Sequence, residues 1–151
     1  MKIIDICRKD VATITETASF EEAAESFHKY KTNCLVVVEG TKVKGLLTTN
    51  NLIFAIIPDY LKGINATLAS FAEGGLFKKL VKQAKDKKVK DIMTIDIPTI
   101  TPEMTIIEVA TTVLQDGKMR LPVVDKDHNL VGLLTRTQIR QAITKTLGIK
   151  D

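Results

Sequence analysis

The feature that most constrains this chain is an internal duplication. Asp5-Ile6 recurs as Asp91-Ile92, and Thr13-Ile14-Thr15 as Thr99-Ile100-Thr101, at an offset of 86 positions. Glu22, Ala24, Leu35, Val37 and Val38 recur at the same offset as Glu108, Ala110, Leu121, Val123 and Val124. One extra residue near Lys126 then moves the offset to 87, and Gly45-Leu46-Leu47-Thr48 matches Gly132-Leu133-Leu134-Thr135. Ala55-Ile56 matches Ala142-Ile143 in the same frame. The order is kept throughout, with a single gap in a turn. A period this long means two copies of a small α/β unit, not a solenoid of roughly 20–50-residue repeats.

Both copies share one grammar. A short extended piece comes first, Val11 to Ile14 and Ile97 to Ile100. Ser19 with Glu22, and Thr105 with Glu108, then fit the capping box, in which a hydroxyl accepts from a free backbone N–H and the carboxylate reaches back. Phe20, Ala23, Ala24, Phe27 and Tyr30 follow at helical spacing, as do Ile106, Val109, Ala110 and Val113. Two apolar runs split by turn residues read as a hairpin: Leu35 to Val38 with Val43 to Thr48, and Leu121 to Val124 with Leu130 to Thr135. A second helix closes each copy, Leu52 to Ile57 and Ile139 to about Leu147. The pattern is strand, helix, strand, strand, helix. It divides the chain into repeat 1 (1–57), a helical basic insert (58–88) and repeat 2 (89–151). Pro58 ends the preceding helix. The insert reads as one or two helices broken at Gly74-Gly75, with Leu76, Phe77, Leu80, Val81 and Ala84 as its apolar stripe.

At 151 residues and 44% hydrophobic content the chain can bury a sizeable core, as one domain or two small interlocked ones. No apolar run reaches the roughly 18 residues of a membrane span. The start, "MKIIDICRKD", lacks the apolar stretch of a signal peptide, so a cytoplasmic protein with no membrane partner is expected. Residues 78–90 hold seven lysines and one acid, Asp86, more positive charge than the whole chain's net +4. The simpler account is a solvated helix face. No aromatic residues interleave with these lysines, so nucleic acid is not the expected partner. Cys7 and Cys34 form no CxxC pair, and His28 and His128 have no Cys or His at ligand spacing, so no metal site is expected. G-x-S-x-G, GxxxxGK[ST] and HExxH are absent, and a non-catalytic role is expected.

The candidate site lies where each Gly-Leu-Leu strand ends in a threonine. A helix is expected to begin two residues later, with Asn50 and Thr137 as caps. Free N–H groups at such a helix start favour phosphate oxygens or other polar ligand groups. The plainer alternative makes Thr48 and Thr135 β-branched strand ends and Asn51 and Gln138 surface helix residues.

Four stretches, "DICRKDVATITETASFEEAAESF", "NCLVVVEGTKVKGLLTTNNLIFAI", "DIMTIDIPTITPEMTIIEVATTVL" and "MRLPVVDKDHNLVGLLTRTQIRQAI", together resemble the CBS domain. Two in tandem are similar to a CBS pair, or Bateman module. The resemblance covers residues 3–57 and 89–144. It implies an α/β (α+β) fold of two β-α-β-β-α repeats packed with pseudo-twofold symmetry, with the helical insert between them. It also implies two clefts between the repeats that take adenosine derivatives such as AMP, ADP, ATP, S-adenosylmethionine or cyclic di-AMP. No resident cofactor is needed; the adenine nucleotide acts as a regulatory ligand. A homodimer and an unidentified regulated protein are the implied partners. Carried over, one cleft would place Thr48 and Asn51 opposite Thr99, Ile100, Arg120 and Leu121. The other would place Thr135 and Gln138 opposite Thr13, Ile14, Cys34 and Leu35. Arg120 could grip phosphate through its fork of donors, whereas its counterpart is the uncharged Cys34, so the clefts should be unequal. One departure stands out. The family's ribose-binding aspartate is Asn51 in one copy and Gln138 in the other. An amide offers one acceptor oxygen, so the grip on a diol weakens by about 1.5–3 kcal/mol if a charge-assisted bond is lost. The alternative function is therefore an interaction or structural module without ligand, or one that binds cyclic di-AMP or S-adenosylmethionine.

Overall fold

A computed structural model describes residues 1–61, 74–113 and 119–150. Repeat 1 runs α1 (Ile3–Ile6), β1 (Thr13–Thr15), α2 (Phe20–Tyr30), β2 (Cys34–Glu39), β3 (Lys42–Thr48) and α3 (Thr49–Ile56). A 3-10 turn (Asp59–Leu61) and α4 (Leu76–Ala84) lie in the insert. Repeat 2 runs α5 (Val89–Ile92), α6 (Ile106–Thr112), β4 (Leu121–Val124), β5 (Leu130–Leu134) and α7 (Arg136–Thr146). The mixed α/β class expected from the duplication is what the chain adopts.

The strands form as their side chains dictate. Cys34 to Val38 are all buried, so β2 is the central strand of a three-stranded sheet, parallel to β1 and antiparallel to β3. A continuous apolar run suits a strand covered on both faces. Repeat 2 keeps the β4–β5 hairpin. Its first strand, expected over Ile97 to Ile100, shrinks to a single parallel bridge between Ile100 and Val123. Pro98 cannot donate to a ladder and holds Ile97 away from helical geometry, so only Ile100 pairs: its N–H donates to the Pro122 carbonyl at 3.0 Å, and Val124 N–H returns to Ile100 at 2.8 Å. Both hairpins carry a bulge at the matching place, Val37/Val38 and Val123/Val124.

The repeats are interlocked by their leading helices. Ile3 of α1 is fully buried, yet its neighbours belong to repeat 2: Ile100, Val109, Leu121, Val123 and Leu134. Val89 of α5 is equally buried among Ile14, Ala23, Leu35, Val37 and Leu47 of repeat 1. The backbone bonds obey the same exchange. Ile3 N–H donates to Met104 O and Val89 N–H to Ala18 O, each at 2.8 Å; Ile4 and Lys90 follow to Pro102 and Glu16, each at 3.0 Å. Fully burying one such side chain contributes about 1.5–3 kcal/mol, so each repeat's core is completed by the other. A third cluster (Val36, Val38, Val43, Leu46, Val124 and Leu133 among it) fills the space between the two sheets. The hairpin tips also meet: Leu130 N–H donates to Thr41 O at 2.8 Å, and Thr41 Oγ1 to Asn129 Oδ1 at 2.6 Å.

The helix expected after Gly74-Gly75 is α4, and it packs on repeat 1. Ala84 is buried against Phe20 and Ala55, and Lys87 Nζ donates to the Ala55 carbonyl at 2.7 Å. Lys78, Lys79, Lys82 and Lys85 face outward. Any helix before Gly74 falls on residues 62–73, outside the described residues. Among the described residues, no helix is long and apolar enough to cross a membrane.

Candidate functional site

The repeated Gly-Leu-Leu-Thr has a separate physical reason for each letter. Gly45 sits where the chain just after α5 crosses β3. Leu46 and Thr94 exchange both N–H···O bonds there, at 2.9 Å each. A β-carbon on Gly45 would run into the Thr94 carbonyl oxygen. Gly132 meets the segment after α1 in the same way, with Arg8 O and Cys7 Sγ each 2.8 Å from where a β-carbon would stand. The first leucine of each copy, Leu46 or Leu133, points into the inter-sheet cluster. The second, Leu47 or Leu134, points into its own repeat's core. The threonine is the helix cap.

That last assignment corrects the expectation for the helix starts. The caps are Thr48 and Thr135, not Asn50 and Thr137, so α3 and α7 begin immediately at the strand ends. The reason is the side chain three residues on. Asn51 Oδ1 accepts from Thr48 N–H at 2.8 Å and from its hydroxyl at 3.1 Å, while Asn51 N–H donates to Thr48 Oγ1 at 3.3 Å. Gln138 Oε1 accepts the same pair from Thr135, at 2.9 and 2.6 Å. These are capping boxes with an amide in the carboxylate's place. Asn51 Nδ2 also donates to Thr94 Oγ1 at 3.2 Å, which ties the helix start to the crossing segment. Gln138 is buried, only 8% exposed, so neither amide is a free surface residue.

A cleft of about 570 Å³ opens between the repeats at this junction. Leu46, Thr48, Asn50, Asn51 and Phe54 form one wall, and Thr94, Asp96, Ile97 and Pro98 a second. Met119 and Arg120, with Thr135, Arg136 and Thr137, complete it. The first turns of α3 and α7 therefore both open on one space, and their positive ends combine with two guanidinium groups. Phe54, Ile97, Pro98 and Met119 supply apolar surface suited to a flat ring. Asp96 contributes a carboxylate.

The site residues named from the sequence are distributed as follows. Thr48, Asn51, Arg120 and Thr135 line this cleft. Ile100 and Leu121 lie in the core of repeat 2, and Thr99 precedes that core without joining the lining. Ile14, Cys34 and Leu35 are buried core residues, Thr13 is the exposed first residue of β1, and Gln138 lies beneath the first turn of α7. Burial pushes the Cys34 thiol up to about 11, partly offset by the nearby Arg120 guanidinium, and raises the Cys7 thiol too. Sequence reasoning overlooked the wall from Thr94 to Pro98, because nothing local marks it. The signal was Gly45: a glycine inside a strand implies that another backbone comes close.

Comparison with known proteins agrees with this architecture. The CBS domain profile matches residues 3–58 and 89–145, most of the chain. An uncharacterized protein of Methanocaldococcus jannaschii is 32% identical over 108 residues, covering 72% of this chain and 64% of that one. The chloroplastic CBS domain-containing protein CBSX1 of Arabidopsis thaliana is 29% identical, covering 89% of this chain and 60% of that protein. The chain thus spans about three fifths of these curated relatives. Among solved structures, the CBS-pair protein CBSX2 from Arabidopsis thaliana superposes with a TM-score of 0.76 at 21% identity, over 97% of this chain and 96% of that one. CBSX2 has also been solved in complex with AMP, matching at a TM-score of 0.72 and 21% identity over 97% and 98% of the two chains. The CBS domain pair of protein MJ0100, in complex with 5′-methylthioadenosine and S-adenosyl-L-methionine, matches at 0.69 and 22% identity over 97% and 98%. At such identities the structures show the shared fold. With both repeats matched by the profile and their interlocked packing on view, this chain belongs to the CBS domain family.

Proposed function

We propose that the chain is a non-catalytic regulatory module that binds a phosphorylated adenosine ligand, of the AMP, ADP or ATP type, in the cleft between its repeats. One observation carries this reading. Two helix starts, Arg120 and Arg136 converge on a space that also carries apolar surface from Phe54, Ile97, Pro98 and Met119, which matches a molecule with an anionic end and a flat ring. The volume falls within the roughly 300–1,000 Å³ usual for small-molecule sites. The AMP complex of CBSX2 supports the ligand class. In this reading Phe54, Ile97, Pro98 and Met119 sandwich the base, and Arg120 with the first turns of α3 and α7 holds phosphate. Thr48 and Asn51 shape the site through their mutual bonds. Thr99, Ile100, Leu121 and Gln138 are not among its lining residues, and neither are Thr13, Ile14, Cys34 and Leu35, which the sequence assigned with Thr135 to a second cleft.

Regulation needs a ligand that favours one arrangement over another. The cleft wall at Thr94 belongs to the segment that follows α5, the helix docked in repeat 1, so occupancy bears directly on how the repeats interlock. A homodimer offers the surface on which such a change is read, and exposed Ile107 on α6, Ile143 on α7 and Leu147 just after it are apolar enough to form it. The second reading, an interaction module without ligand, draws on the amides: both carbonyl oxygens are spent on their own caps.

Calorimetric titration and thermal shift with AMP, ADP, ATP, cyclic di-AMP and S-adenosylmethionine decide between them. A ligand at about 100-fold over its dissociation constant adds roughly 2.7 kcal/mol. For this size that is a rise of several degrees. No response to any of the five favours the interaction module. Light scattering at micromolar concentration tests the dimer, which a monomer mass would exclude.

A further inference from the structure

A ribose presents two neighbouring hydroxyls, and holding them takes acceptor oxygens that are not already bonded. At the two capping pairs those oxygens are spent. Asn51 Oδ1 takes two donors from Thr48, and its Nδ2 is given to Thr94. Gln138 Oε1 takes two donors from Thr135 and lies buried. The hydroxyls of Thr48 and Thr135 each donate into those amides, so they are turned toward the protein.

Asn50 and Thr137 on the same first turns each offer one neutral oxygen to the cleft, whereas Asp96 offers a charged pair. It is the only carboxylate among the described residues that line the cleft. It is exposed, and no hydrogen bond or ion pair engages it among the described residues. Its position is nonetheless held from both sides. Two residues before it, Thr94 is pinned to Leu46 by a pair of backbone bonds at 2.9 Å and to Asn51 by its hydroxyl. One residue after it, Ile97 packs on the inter-sheet cluster, and Pro98 stiffens the backbone. A charged acceptor with two oxygens stands on a fixed wall, in the cleft that also presents Arg120 and Arg136. Carboxylate accepts from hydroxyls through charge-assisted bonds roughly twice as strong as neutral ones.

We propose that Asp96 takes the ribose hydroxyls of the ligand, so that diol recognition comes from the segment after α5 instead of from the helix starts. The inference rests on the adenosine reading above and deepens it by naming the group that selects a ribonucleoside. Asp10, the counterpart in repeat 1, has a different setting: its carbonyl accepts from Arg8 Nε at 2.8 Å, and Arg8 stands where repeat 2 has Thr94.

The test is calorimetric titration of the full chain and of Asp96→Asn with AMP, 2′-deoxy-AMP and 3′-deoxy-AMP. The wild type should prefer AMP to either deoxy form by about tenfold, the loss of one charge-assisted bond. Asp96→Asn should bind AMP about tenfold more weakly and close the gap to within about twofold, with its unliganded melting temperature unchanged. Full discrimination retained in Asp96→Asn overturns the assignment, as does discrimination that vanishes in Asn50→Ala and survives in Asp96→Asn. If the wild type binds no adenosine ligand, the functional reading falls and this one with it; if AMP binds and Asp96→Asn changes nothing, only this one falls.

Discussion

Gly45→Ala is the sharpest test of how the two repeats are held together. The added methyl would overlap the Thr94 carbonyl oxygen, which is backbone and cannot swing aside as a side chain would. The crossing segment must retreat from β3. Two backbone bonds at 2.9 Å, Leu46 to Thr94 and its return, lengthen together. Overpacking of this kind costs about 1–3 kcal/mol. Each weakened bond adds about 0.5–1.5 kcal/mol if fully lost. Partial relaxation leaves a net of about 2–4 kcal/mol, or a fall of roughly 5–15 °C in melting temperature at this size. Gly132→Ala should cost less, since one of its two blocking atoms is the Cys7 sulfur, on a side chain. Gly40→Ala meets nothing within 4 Å and bears only the strain of its +62° φ, about 1–2 kcal/mol. Calorimetry gives the order. Hydrogen exchange gives the place: the Leu46 and Thr94 amides should exchange faster in Gly45→Ala, while the Arg8 and Leu133 amides stay protected. A Gly45→Ala protein that melts within about 2 °C of wild type, or that protects those two amides equally well, would refute the crossing as the reason for this glycine.

Other perturbations read other parts of the structure. Arg120→Ala should weaken a phosphorylated ligand about tenfold or more by titration, whereas Cys34→Ala should leave affinity within about twofold; equal losses would contradict an asymmetric pair of clefts. Both thiols should resist iodoacetamide at pH 8, Cys34 above all because burial holds it near 11, and mass spectrometry should find labelling only after denaturation. Thr48→Ala removes a cap and frees Asn51, and should cost about 1 kcal/mol in denaturant unfolding. Asp125 is held below its ordinary range mainly by the backbone N–H and side chain of Asn129, so its contribution is full above the ordinary carboxylate pKa and fades as pH falls through the lowered folded value. The melting difference between wild type and Asp125→Ala should therefore shrink on acidification through that range, and a constant difference would argue against the turn.

The architecture was legible because duplication made each local signal count twice. The two hairpins, the Thr105–Glu108 box and the Ser19 cap appear where the sequence puts them, although the Glu22 carboxylate accepts from the Ser19 hydroxyl and not from its backbone N–H. The leading helices were missed for a physical reason. Four residues, Ile3–Ile6 or Val89–Ile92, are too few for a helical stripe, and their apolar side chains are explained only by a core supplied by the other repeat. The helix caps were misplaced because Asn50 and Thr137 are good capping types in isolation. What decides is the reciprocal bond between Thr48 and Asn51, which makes threonine both the last strand residue and the cap. One wall of the cleft shared that fate: Thr94 to Pro98 is an irregular segment whose place is set by a crossing 48 positions away in sequence, from Leu46 to Thr94.

A duplicated scaffold need not give two equal sites, and the residues here show why. Positions that answer to the backbone are identical in both copies: the crossing glycine, the two leucines with their opposite faces, the capping threonine. Positions that answer to the cleft differ. Arg120 stands against Cys34, Thr94 against Arg8, and Met119 against Asn33. The first change moves a fixed charge to one side only. The second puts a long cation where the other side has a short hydroxyl that serves Asn51. Symmetry is thus required by how the halves interlock and is free to break where a ligand would sit. A single nucleotide bound on the Arg120 side, as proposed, would load one of the two crossings and leave the other unloaded.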